Sequence, residues 1–156
     1  MIERLDRLRS RETRIVVGIE LGGGTGRLGA AVVGVSGRGN ETFLDLLGFR
    51  SLALPAELVT TLSSLDRHES FDSDELAGID FLLYHHLFQL YEGVLDESGI
   101  EPDRVDLIGV KEFEAGESVF PKDPAVLSEM TRRIVACRFF IKTGGENGGA
   151  VPVAES

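Results

Sequence analysis

Residues 18–33, GIELGGGTGRLGAAVV, place Gly22, Gly23, Gly24, Thr25 and Gly26 just behind the β-branched run Ile15, Val16, Val17 and the acidic Glu20. A turn with several glycines lets backbone amides converge on an anion, because no Cβ blocks the approach. The Thr25 hydroxyl would add a further donor. The chemistry this predicts is the cradling of a phosphate. The segment is not a Walker loop, since it lacks both the Gly-x-x-x-x-Gly-Lys-[Ser/Thr] spacing and any lysine. It also runs into a second apolar strand and not into a helix, so no helix dipole assists an anion. On the residues alone, a phosphate loop and a tight structural turn both stand.

A second charged group, Lys111, Glu112, Glu114 and Glu117, follows the apolar run at 105–110. That is the carboxyl end of a short buried strand, where ligands gather in open α/β sheets, although a charged loop also serves simply as a solvated surface. His85 and His86 are adjacent and, on a helix, about 100° apart, so they cannot share a metal as an i, i+4 pair would. The lone Cys137, within a strand-like apolar run, cannot close an internal disulfide or make a zinc site alone, and reads as a small buried apolar side chain.

These residues must be positioned by elements that the hydrophobic pattern predicts. Residues 14–20 and 27–35 read as strands, 36–41 as a hairpin loop, and 42–52 as the returning third strand of an antiparallel meander. Pro55 suits the start of a short helix with Leu58, Leu62 and Leu65 on one side. Ser73 is expected to cap a long helix whose seam is Leu76, Ile79, Leu83, Leu87, Leu90 and Val94, ended by Gly99. Phe81, Tyr84, Phe88 and Tyr91 widen its apolar surface, which suggests cover on more than one side. A strand at 105–110, a loop, a helix at about 124–133 and a last strand at 134–141 complete the order. Helical crossovers between the later strands imply parallel pairing. The expected core is Ile15, Val17, Val32, Phe49, Leu83, Leu87, Leu107 and Val135.

The 156 residues suit one domain with one core, and 42% apolar content is that of a globular chain. A formal charge of −10 opposes sequence-independent attraction to nucleic acid or an anionic bilayer. The N-terminal tract is charged, without an apolar signal core, and no apolar stretch of about 18 residues follows, so a cytoplasmic location is expected.

The order of elements resembles a ribonuclease H-like α/β unit, which in two copies builds the sugar kinases, actin and the chaperone ATPases. The fold this implies is a single lobe with a mixed five-stranded sheet and helices, half of an actin-like ATPase. It would span residues 14–143, with a charged extension at 1–13 and a glycine-rich tail at 144–156. Within that superfamily the chain resembles the N-terminal half of the anhydro-N-acetylmuramic acid kinases. The resemblance is carried in order by the glycine hairpin, residues 46–65, 88–109 and 123–136, and the terminal TGGENGGAVPV.

The resemblance implies an ATP- and magnesium-dependent kinase of cell-wall sugar recycling that opens an anhydro ring with water and phosphorylates O6. By the same resemblance Gly22, Gly23, Gly24, Thr25 and Gly26 would approach the phosphates. Glu20 would stand where the superfamily places an aspartate holding metal-bound water. The departures are specific. The family hairpin Ser-Gly-Thr-Ser-x-Asp-Gly is here Gly23-Gly24-Thr25-Gly26-Arg27-Leu28-Gly29, without the serines or the aspartate. Ser-His-Gly-Gln-Thr is replaced by Val110-Lys111-Glu112-Phe113-Glu114, and Asp-Phe-Arg by about Cys137-Arg138-Phe139. The second catalytic lobe has no counterpart in these residues. The expectation is therefore a kinase lobe inactive alone, needing a second lobe or forming a homo-oligomer. The alternatives are a non-catalytic nucleotide- or sugar-binding or assembly module, and an unrelated domain with a structural glycine hairpin.

Overall fold

The computed structural model describes residues 2–22, 26–67, 70–115, 118–137, 140–142 and 150–152. A short helix, α1 (Ile2–Ser10), precedes a meander of β1 (Thr13–Gly22), β2 (Arg27–Ser36) and β3 (Phe43–Ala53). Helices α2 (Ala56–Asp66) and α3 (Ser73–Ser98) lead to β4 (Leu107–Lys111). A small hairpin, β5 (Phe113–Ala115) with β6 (Ser118–Phe120), and α4 (Pro124–Thr131) then lead to β7 (Ile134–Ala136). A second small hairpin pairs β8 (Phe140–Lys142) with β9 (Ala150–Pro152), so part of the expected tail is strand. No helix among the described residues is long and apolar enough to cross a membrane.

The five-stranded sheet has the order β3-β2-β1-β4-β7, with β2 antiparallel to both its neighbours and β4 and β7 parallel to β1. This mixed order is the ribonuclease H-like one. Helices α2, α3 and α4 sit together on one face. Alternation along β1 and β2 turns Ile15, Val17, Ile19, Leu21, Leu28, Ala30 and Val32 toward them. There they meet Leu58 and Leu62 of α2, Leu83, Leu87, Leu90 and Val94 of α3, and Leu127 of α4 in one core. Asp72, and not Ser73, caps α3: its side chain accepts from the Glu75 amide while the Glu75 carboxylate accepts from the Asp72 amide. This reciprocal box outbids a serine one position later. Gly99, at φ 65°, closes the helix in the left-handed conformation that glycine adopts without a Cβ penalty.

Two expected core residues lie elsewhere. Phe49 is 63% exposed, because it pairs with Ala31 on the face opposite the helices. Its neighbour Gly48 takes the helix-facing place, where a Cβ would stand 2.0 Å from the Ser98 hydroxyl, so α3 comes too close for any side chain. Leu107, paired with Val16, is half-buried on that same opposite face. Val135 is half-buried and packs against the core as expected.

Candidate functional site

The parallel pairing of β1 and β4 aligns Gly18 with Gly109 and Glu20 with Lys111. Each strand carries a glycine followed two residues later by a charged residue. Period-two alternation therefore puts all four on one face, the one without helices. The Lys111 ammonium donates to Glu20 Oε1 at 2.8 Å, and both side chains are exposed. On β2, Arg27 starts the strand behind the glycine turn and donates from Nη2 to Ser51 Oγ of β3 at 2.7 Å.

Between these pairs lies an open depression of about 690 Å³ floored by Gly18, Gly29, Ala31 and Gly109, with Phe49 at one wall. A Cβ on Gly18 would meet nothing within 4 Å, so packing does not demand that glycine; its absence of a side chain keeps the floor clear. The groups on offer to a ligand are two cations and a hydroxyl, Lys111, Arg27 and Ser51, beside one carboxylate that Lys111 already neutralises. That set suits an oxyanion.

The expected glycine cradle divides. Gly26 has φ 66°, and a Cβ there would stand 2.9 Å from Val59 Cγ2 of α2. Its carbonyl also accepts from the Leu54 amide at 2.8 Å. Glycine at 26 thus answers to backbone conformation and to packing against α2. Gly22, half-buried, ends β1 and pairs with Arg27. Gly23, Gly24 and Thr25 lie outside the described residues, as do Glu117, Arg138 and Phe139. Glu112 is half-buried and Glu114 exposed on the β5–β6 hairpin side.

Among the described residues no three His, Cys, Asp or Glu side chains gather as a metal cluster. His85 and His86 meet edge to face with centroids 5.7 Å apart, and Cys137 is a half-buried cysteine outside any disulfide, packed beside the core. Arg27, Ser51 and the glycine floor are not among the residues that the sequence pattern singles out. The repeated Gly-x-charged spacing in the two central strands was the signal that could have found the floor. Arg27 and Ser51 needed the β2–β3 register, which a bulge shifts.

No protein-family model matches the chain. Among curated proteins it is similar to the anhydro-N-acetylmuramic acid kinase of Caldanaerobacter subterraneus subsp. tengcongensis. The two are 25% identical over 171 aligned positions, which take in 99% of this chain and 43% of that kinase. The similarity is to part of a kinase. This chain spans less than half the length of that relative. Among solved structures, YeaZ from Pseudomonas aeruginosa aligns over 83% of this chain and 45% of its own, at 12% identity and a TM-score of 0.41.

Proposed function

We propose that the chain is a kinase-type lobe that holds the phosphates of a nucleotide at the carboxyl ends of β1 and β4, and does not transfer a phosphoryl group alone. The observation that carries the reading is the similarity to an anhydro-N-acetylmuramic acid kinase along almost the whole chain. Lys111 and Arg27 would take phosphate oxygens, and the amides at Gly22 to Gly26 would approach from the turn. Magnesium would enter with the phosphates it neutralises, touching the protein at Glu20, because the described residues form no cage of their own. It would supply charge neutralisation at the phosphates.

Turnover requires in addition an oriented acceptor and a base within reach of the attacking water. Here the positions that resemble the acceptor side carry Val110 to Glu114 and Cys137. The depression is open, so a bound phosphate stays hydrated and its hydrogen bonds compete with water. A second lobe, on the same polypeptide or another, would close it and exclude that water.

The test is titration of the chain with ATP, with and without magnesium, followed by amide NMR. Signals of Gly22, Gly26, Arg27 and Lys111 should shift with a Kd on the order of millimolar, the affinity of a few charge-assisted hydrogen bonds on an open surface. Lys111→Ala should weaken binding about tenfold, and no ADP should form. Signals that stay in place at ~20 mM ATP, far above that Kd, would remove the reading.

A further inference from the structure

The opposite end of the same sheet carries a different cluster. The residues entering the three parallel strands, Arg11 before β1, Val105 and Asp106 before β4, and Arg133 and Ile134 at β7, converge with α1 around a pocket of about 390 Å³. Its charged lining is Arg7, Arg11, Arg132 and Arg133 against Asp103 and Asp106, an excess of two positive charges in a chain whose formal charge is −10. The carbonyl ends of α1, at Arg7, and of α4, at Arg132, offset part of that charge, and the remaining positive excess is available to an anion.

The acids inside the pocket do not discharge the cluster. Asp106 is already shared between the Arg11 guanidinium and the Ile15 amide, which donates to Oδ2 at 2.9 Å. Arg133 reaches only the carbonyls of Asp103 and Val105, both at 3.4 Å, and its buried Nε has no partner among the described residues. The guanidinium groups of Arg7 and Arg132 make no hydrogen bond or ion pair among the described residues.

Arg132 adds an independent observation. It occupies the C-cap of α4 at φ 56°, the one described residue other than glycine with positive φ. Glycine, as at Gly99, fills that conformation without strain, so an arginine there is held against the backbone's preference. Conformations of this kind persist where the surrounding structure fixes them, and they cluster at binding sites.

We propose that this pocket binds a small multivalent oxyanion, with a phosphoryl or pyrophosphoryl group the best match to its planar guanidinium forks. The volume suits a small ligand and not a polymer. The site is separate from the depression at Glu20 and Lys111: Asp106 in its lining and Lys111 are five residues apart along the same extended stretch, roughly 17 Å. It therefore stands whether or not nucleotide binds at the other end.

The test is titration of the whole chain with inorganic pyrophosphate at constant ionic strength, read at the amides of Arg7 to Arg11 and Arg132 to Ile134. These should shift saturably. Arg132→Gly should weaken the apparent affinity about tenfold while raising the melting temperature, because it removes a charge-assisted hydrogen bond and relieves the left-handed strain together. A merely structural arginine would not give opposite signs in the two measurements. Arg7→Ala, on an exposed helix face, should weaken binding similarly with the fold unchanged. Shifts reproduced by sodium chloride at matched ionic strength, no shifts at ~10 mM pyrophosphate, or wild-type affinity in both variants would overturn the proposal.

Discussion

The two faces of the central sheet are built from the same strands and are both rich in apolar residues, yet they differ in nearly everything else. Val17, Val32 and Ile108 on one face lie in the core under the helices with no exposure at all. Leu44, Leu46 and Phe49 on the other are 72, 65 and 63% exposed, with no helix over them among the described residues. Side-chain hydrophobicity is thus not what decides burial here; the path of the two crossovers is. Both α2–α3 and α4 return on the same side, and parallel pairing alone does not supply the second cover that such sheets usually have. The contrast also separates tasks. The covered face holds the molecule together, while the bare face carries the glycine floor and the Glu20–Lys111 pair.

The largest test of that division is truncation on each side. Leu83→Ala, at a fully buried α3 position, should cost about 2 to 5 kcal/mol of unfolding free energy in urea melts. Phe49→Ser should change it by no more than about 0.5 kcal/mol. Equal losses would mean that the bare face is packed in solution. A finer comparison uses one substitution at two glycines. Gly48→Ala drives a Cβ into Ser98, whose hydroxyl is tied to the Val94 carbonyl at 2.6 Å, and should cost about 1 to 3 kcal/mol. Adding Ser98→Ala should recover part of the loss. Gly18→Ala, with open space above it, should be neutral or stabilising by roughly 0.5 kcal/mol.

The smallest effect concerns the electrostatic cost of the covered side. Burial holds the Asp80 carboxyl above its ordinary value of 3.8, although its oxygen accepts from the Lys122 amide at 2.8 Å. The folded protein thus binds that proton more tightly than the unfolded one. The stability gained is complete below pH 3.8 and is lost as pH rises through the raised folded value. Asp80→Asn keeps an acceptor for Lys122 and has no charge to bury. It should unfold at the same or higher urea concentration than wild type at pH 7, and the difference should shrink toward pH 4. A variant weaker than wild type at pH 7 would show the charge to be stabilising, against the burial argument.

Much of the architecture was readable from period alone. The alternation at 14–20 and 27–35, the leucine spacing of α2 and α3, and the Gly99 stop each gave an element of the observed type. Phe49 and Leu107 were misplaced because a strand's period names two faces without saying which one the helices cover. That choice rests on crossover geometry and on the close approach at Gly48, neither of which is local. The β5–β6 hairpin was invisible because each strand has only three residues, too few for any period. At the site, Glu20 and Lys111 were picked out separately. Their pairing across 91 positions of chain followed only from the β1–β4 register.

One irregularity in β3 matters outside the folded state. The strand is 11 residues long, lies at the sheet's edge and is strongly apolar, which makes it a template for addition of strands from other chains. Its register slips between Val32 and Val33, leaving Leu47 as an extra residue opposite no partner. Such a bulge twists the free edge and breaks it into two shorter stretches, neither long enough to offer a flat, continuous ladder. By that geometry the Leu47 bulge makes the free edge a poorer template for a foreign strand than an unbroken β3 would be.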